Sequence, residues 1–262
     1  MLMRKAFSLL ALGAVTGVFA CGSGETPKSE SAPAPASKPE AAAPMAGGAG
    51  ATGTASVSGK ISFEGTAPPA EKIKLAADPK CVALHPQGLE RQPIRVKGGG
   101  LADVFVYVKS GVGGTYPAPT TPVVLDQNGC NYIPHIVALQ AGQPLKIRNS
   151  DDTLHNIHPR PTVNTEFNIG QPRKGMESTK TFDKPEVLIT VGCDVHPWMR
   201  SYIGVVPHPF FAVTAEDGTF EIKGLPAGEY EVEAVHEKLK TLSGKVTVKD
   251  GEAAKLDLTF KG

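Results

Sequence analysis

Glu186-Val187-Leu188-Ile189-Thr190-Val191, the loop Cys193-Asp194-Val195-His196-Pro197-Trp198-Met199 and Ser201-Tyr202-Ile203-Gly204-Val205-Val206 follow one another almost without interruption. In the first six residues Val187, Ile189 and Val191 alternate with Leu188 and Thr190, the period of a half-buried strand. Ser201 to Val206 is a second strand-like run. Pro197 cannot extend a ladder from either side, so the seven residues between the runs read as a tight loop joining two strands. That loop presents a thiolate, an imidazole and a thioether at C-x2-H-x2-M spacing. Soft sulfur donors select copper over magnesium or calcium, and two histidines, a cysteine and a weak axial methionine make a blue-copper donor set. One histidine is missing locally. The place to look for it is Asn149-Ser150-Asp151-Asp152-Thr153-Leu154-His155-Asn156-Ile157-His158.

The loop Cys193-x-x-His196-Pro197-Trp198-Met199 resembles the ligand loop of the cupredoxin family, and His155-Asn156-Ile157-His158 resembles the family's segment for the first copper ligand. The resemblance covers roughly residues 120–208, and the two blocks stand far enough apart for several strands of a Greek-key sandwich between them. It implies one type 1 copper ion with His155, Cys193, His196 and Met199 as ligands. It departs at Asp194, where many cupredoxins carry a small hydroxyl residue, a difference that bears on the surroundings of the site and not on its ligands. His158 is taken to share a strand face with His155 and competes with it, His155 being preferred on the resemblance and on the neighbouring Asn156. His135, close to Cys130, raises a second metal site with His158. His85, His208 and His236 receive the ordinary reading of a lone histidine, solvated or hydrogen-bonded. His196, near the loop tip, is read as the surface exit for an electron, with Trp198 beside it in a contact patch for a protein redox partner.

The rest of the chain is legible in coarser terms. Its 262 residues carry a formal net charge of +1 and no basic stripe, which argues against nucleic-acid binding. Aromatic residues are sparse at 6%, while 29 Gly and 23 Pro suit short strands joined by turns. Strands are expected over 57–63, 102–108, 123–125, 135–139, 145–148 and 179–182, and nowhere after the first twenty residues does helical periodicity hold for three turns. Asp78-Pro79-Lys80-Cys81-Val82-Ala83-Leu84-His85 reads as a Pro-bounded loop. The fold class is all-β.

Residues 1–20 have the charges of Arg4 and Lys5 followed by an apolar run too short to span a bilayer, the pattern of a secretory signal. Val18-Phe19-Ala20-Cys21 resembles a bacterial lipobox, which implies acylation of Cys21 and a membrane anchor without a spanning helix. No Asp follows Cys21, so sorting to the outer membrane or cell surface is expected over retention at the inner one. Residues 21–55 are rich in Ala, Pro, Ser and Gly and read as a disordered tether.

Toward the other end, Phe210 to Ile222 reads as a hairpin with an Asp217-Gly218 turn, followed by Gly224-Leu225-Pro226-Ala227-Gly228-Glu229-Tyr230. This arrangement, over residues 209–262, resembles the carboxypeptidase regulatory-like domain, a transthyretin-like β-sandwich. The strands of 56–118 resemble the first strands of that same family. Two organisations stay open: an N-terminal β segment, a copper domain over 119–208 and a separate C-terminal sandwich, or a copper domain inserted into one sandwich built from both flanks.

With Cys21 assigned to lipid, Cys81, Cys130 and Cys193 remain, an odd number in an oxidising compartment. Pairing of Cys81 with Cys130 frees Cys193 for metal. The alternatives are two unbonded buried thiols, or a pairing that consumes Cys193 and destroys the site. A c-type haem would need a second Cys before the His, and a binuclear copper centre a second bridging thiolate. No Ser-His-Asp constellation, phosphate loop or paired catalytic carboxylates stand out, so neither catalysis nor a small-molecule substrate is expected. The function expected is single-electron transfer, against two rivals: copper storage or delivery, and a non-redox β-sandwich for adhesion or sugar binding.

Overall fold

The computed structural model describes residues 53–75 and 78–262. The signal segment, Cys21 and the tether up to residue 52 lie outside the described residues. Among the described residues the molecule is strands throughout apart from one helix of six residues, and no helix is long and apolar enough to cross a membrane.

The two flanks of the chain build one sandwich together. Ala55–Glu64 pairs antiparallel with Thr219–Leu225 and with Gly100–Leu101, and parallel with Ala253–Lys255 and Leu258–Lys261. The facing sheet runs Phe211–Val213, Phe105–Ser110, Gly228–Val235, Leu242–Val248. Strict alternation in Ala55–Glu64, inward at Ala55, Val57, Ile61 and Phe63, gives one sheet its apolar face. Between the sheets lie Val104, Val106, Phe210, Phe220, Ile222, Val232 and Phe260. The expected strand over 102–108 is shifted to Phe105–Ser110; the short Gly100–Leu101 before it belongs to the facing sheet, with Asp103 in the left-handed region (φ 59) at the crossover. Strands from before residue 111 and after residue 210 thus alternate in the same sheets, and residues between them form an insertion.

The insertion is a second sandwich. Glu177–Lys180, Leu145–Asn149, Val123–Gln127 and Tyr132–Ile133 make one sheet; Ile169–Gln171, His155–Arg160, Glu186–Gly192, Arg200–Val206 and Ile136–Gln140 make the other. Parallel pairs such as Arg200–Val206 with Ile136–Gln140 stand beside antiparallel ones such as Arg200–Val206 with Glu186–Gly192, so the sheet is mixed. Leu125, Leu139, Leu145, Ile147, Phe182, Val191 and Ile203 fill its core, and Cys193 and Met199 belong to the same cluster. Burial of each such side chain contributes about 1.5–3 kcal/mol. The alternation expected over 187–191 fails at its first member: the register slips between Glu186 and Ile189, Leu188 takes φ 53, and Val187 turns outward. A bulge of this kind re-aims the strand, and Leu188 now packs where the two sandwiches meet, with Phe105, Tyr202 and Phe211.

The remaining segment caps the insertion. Glu71–Ile73 pairs with Leu89–Arg91, and between them runs the helix Pro79–Leu84, where the sequence suggested a loop. Asp78 is its N-cap, accepting from the backbone N–H groups of Lys80 and Cys81, and Pro79 sits at its first position. The helix buries one residue, Cys81, which is bonded to Cys130 of the insertion (Cα–Cα 5.7 Å). Leu75, Ile73, Leu89 and Trp198 pack around that disulfide.

Candidate metal centre

His155 opens a central strand of the insertion and is fully buried. Cys193 and His196 sit on the loop that follows the neighbouring strand, 4% and 1% exposed. The loop is closed by the Met199 N–H donating to the His196 carbonyl at 2.9 Å, which places Met199, wholly buried, back in the core beside Cys193. Ligand atoms of His155, Cys193 and His196 all lie within 4.8 Å of one another. Cys193 is the free cysteine among the described residues.

The orientation of the two imidazoles decides what this cluster can hold. His155 Nε2 is 2.8 Å from Asp151 Oδ2, and His196 Nε2 is 3.0 Å from Asp78 Oδ2. Both carboxylates have their pKa values lowered: burial opposes ionisation, and hydrogen bonds from His155, Cys130 and Gly129 to Asp151, and from Thr153, Lys80, His196 and Cys81 to Asp78, outweigh it. An ionised carboxylate only accepts, so each imidazole donates from Nε2 and turns the lone pair of Nδ1 inward. The two Nδ1 atoms are 2.9 Å apart, with Cys193 Sγ 3.9 Å from that of His196. Two nitrogen lone pairs and a thiolate facing one buried point demand a cation or a proton. Carboxylates that orient and polarise ligand histidines are the usual support of a metal.

The pKa directions describe the proton's version of that occupancy. Burial alone raises the Cys193 thiol, yet hydrogen bonds from His155 and His196 and from the backbone N–H groups of Asn156 and His196 bring it down to about 6. Burial opposes protonation of His155, but Asp151 and the Cys193 sulfur raise its pKa to about 9. Both directions favour the charged pair, thiolate beside imidazolium, over the neutral one. A soft cation with a preference for sulfur and imidazole fits this donor set, and copper is such a cation.

Asn156 ties the two ligand segments together. Its Oδ1 accepts from the Asp194 N–H at 2.7 Å, and its own backbone N–H donates to the Cys193 sulfur at 3.5 Å. The Asp194 carboxylate accepts from the Nδ2 of the same Asn156 at 3.2 Å. It accepts from Asn168 Nδ2 (2.6 Å) and Arg160 (3.0 Å) and meets His158 Nδ1 at 3.0 Å, a network on the outer face.

Several expectations need correction. His158 stands three residues after His155, so along a strand it faces the opposite side; it is bonded to Asp194 and Glu166 and does not compete for the centre. His135 is 2.9 Å from Glu237 and edge-on to Tyr202, with no link to His158. His196 is not a surface residue. The cap covers it with Asp78 and with Cys81 Sγ at 3.8 Å, and the Trp198 ring of its own loop lies beside it, centroid 4.9 Å away. Trp198 itself is half-buried and donates from Nε1 to the Cys130 carbonyl at 3.1 Å. Among the histidines read as ordinary, His85 bonds the Gly129 carbonyl, His208 the Val108 carbonyl, and buried His236 accepts from the Lys238 N–H. The sequence reading missed Asp78 and Asp151. An Asp before Pro at a helix start, and an Asp four residues before a ligand His, were the signals available for them.

No family model matches the chain, and no curated protein matches it. Solved structures do. A copper-containing nitrite reductase from Thermus scotoductus SA-01 is similar at 22% identity over 37% of this chain and 24% of its own, so the chain spans about a quarter of that protein, with a TM-score of 0.29. A mutant of amicyanin in the Cu(I) state is similar at 22% identity over 32% of this chain and 81% of its own, TM-score 0.29. A purple cupredoxin from Nitrosopumilus maritimus is similar at 18% identity over 31% of this chain and 97% of its own, TM-score 0.28. These likenesses are of fold.

Proposed function

We propose that the chain is an exported, lipid-anchored blue-copper protein that carries single electrons between protein redox partners and is not an enzyme. One type 1 copper would be held by His155, Cys193, His196 and Met199. The observation that carries this reading is the pair of Nδ1 lone pairs and the thiolate converging on one buried point, with both Nε2 atoms already taken by carboxylates. Copper, when bound, supplies the one-electron couple. The chain's own residues do the rest. Asp151 and Asp78 fix the imidazoles, Asn156 fixes the Cys193 sulfur, and burial of His155, His196 and Met199 keeps water away. A site held this rigidly by its protein changes little between two charge states, which suits fast exchange.

The sealed position of His196 moves the expected exit to Trp198, whose ring lies tilted beside that imidazole and is partly exposed. It also weighs against a copper store, which needs an ion that partners can reach. Anchoring through Cys21 on the periplasmic side of a membrane or on the cell surface would raise the encounter rate with partners on the same membrane.

The test is a visible spectrum. The full chain loaded with Cu(II) is expected to show the intense thiolate-to-copper band; Cys193→Ser and His155→Ala should remove it, and His158→Ala should leave it. A band that survives in Cys193→Ser sinks the reading. Rapid loss of copper to an acceptor apoprotein, in place of electron exchange with copper retained, would turn the assignment to delivery.

A further inference from the structure

The cap over His196 is a small element with few holds of its own. Glu71–Ile73 and Leu89–Arg91 pair with each other and, among the described residues, with no other strand. The fully packed residues beneath it are Leu75, Cys81 and Cys130, so two of the three belong to the disulfide. Its other ties to the insertion lie at the rim. Lys80 Nζ stands 3.4 Å from the Asp152 carboxylate, both side chains exposed, and pairs of that kind hold weakly. His85 Nε2 meets the Gly129 carbonyl at 2.7 Å, and Arg91 donates to the Trp198 carbonyl at 3.3 Å. Inside, Asp78 meets His196 Nε2 at 3.0 Å, and Cys81 Sγ is 3.8 Å from the same nitrogen. Cys81 stands about one turn after its N-cap Asp78 on the same six-residue helix, so whatever holds the sulfur holds the carboxylate over the imidazole. The disulfide joins residues 49 apart in sequence, and a crosslink across a loop of that length removes most of the open states of the chain between.

We propose that the cap is a lid and the disulfide its latch: a metal ion, copper on the reading above on which this rests, enters and leaves the centre while Cys81 and Cys130 are thiols, and is locked in when they bond. Closure is a disulfide exchange. An oxidant that carries a disulfide takes two electrons and two protons from the two thiols, the Cys81–Cys130 bond forms, and the oxidant leaves as a dithiol. Both cysteines are completely buried with the lid down, so closure belongs to a chain whose lid still moves. A segment held by so few apolar contacts opens locally at small cost when the bond is absent. Once the bond is made, Asp78 can no longer swing away from His196. The order of maturation is then metal first, bond second.

The test challenges the Cu(II)-loaded full chain with excess EDTA and follows decay of the thiolate-to-copper band. It compares the parent with Cys81→Ser/Cys130→Ser, which has no latch and no competing thiol. Both should start with the same spectrum, and the variant should lose it about tenfold faster or more. Amide hydrogen exchange of the metal-free parent, before and after a dithiol reductant, reads the lid with no variant and no copper. Reduction should strip protection from Glu71–Ile73, Pro79–Leu84 and Leu89–Arg91 and leave Glu186–Gly192 and Arg200–Val206 protected. Equal decay rates overturn the proposal. So does a reduced chain whose cap stays as protected as before, or one whose insertion loses protection together with the cap, the mark of a bond that holds the whole fold. A parent chain that never forms the band fails the copper reading alone, and the hydrogen exchange still decides the lid.

Discussion

Asp78 and His196, 118 residues apart in sequence, meet in a 3.0 Å contact between carboxylate and imidazole Nε2. The same carboxylate oxygen accepts from Thr153 Oγ1 at 2.9 Å, so one side chain of the cap holds both segments of the metal centre. Asp78→Asn keeps an oxygen in place and removes the charge. Copper affinity is expected to fall 10- to 100-fold, the usual effect of losing a ligand's supporting carboxylate, while the thiolate band stays. Competition titration against a chelator measures it; unchanged affinity would show that the cap is mere packing.

Trp198→Ala should retain copper and its spectrum and slow electron exchange with the physiological partner, because the ring is what reaches toward solvent from buried His196. Stopped-flow oxidation of the reduced protein reads this directly. An exchange rate equal to that of the parent chain removes Trp198 from the route.

Gly204→Ala tests the seam between the sandwiches. A Cβ at Gly204 would lie 2.6 Å from the Phe105 ring, too close for any real contact. Phe105 is fully buried and already stacked on Tyr107, so it has little room to yield. A loss of about 1–3 kcal/mol is expected from such overpacking. Thermal melting should also show that adding Phe105→Leu costs less than the two changes separately; strict additivity would mean that the rings do not meet there.

Glu186 supplies a pH dependence away from the metal. Burial would raise its pKa, but the backbone N–H groups of Thr162 and Asn164 and their side chains hold it at about 2, below its ordinary 4.5. A carboxyl depressed in the fold stabilises it above the unfolded pKa and loses that contribution as pH falls from about 4.5 to about 2. Glu186→Gln should therefore melt lower than the parent at neutral pH and converge with it in strong acid. The side chain is partly exposed, which limits the difference to about 1 kcal/mol. A gap that persists to the acid end would assign the effect to shape instead of charge.

The sequence made the strands legible because most of them keep their period: Ala55–Glu64 alternates for ten residues, and its inward set is the core. The ligands were legible because Cys193, His196 and Met199 crowd into one loop, where spacing alone restricts what they can bind. What escaped depended on contacts between distant segments. The bulge at Val187 and Leu188 answers to packing at the seam, which no local pattern encodes. The burial of His196 comes from a six-residue helix far upstream, too short for periodicity to reveal. His158 was misplaced by a face assignment that a three-residue offset reverses.

One side of Ile61–Glu64 is completed by Leu258–Lys261, the last strand of the chain. A product that stops early, at whatever point before residue 258, leaves that row of backbone N–H and C=O groups open to any passing strand. Such a product still contains every residue of the candidate metal centre. A chain without that four-residue strand can therefore keep every candidate metal ligand and still be prone to pair with its neighbours.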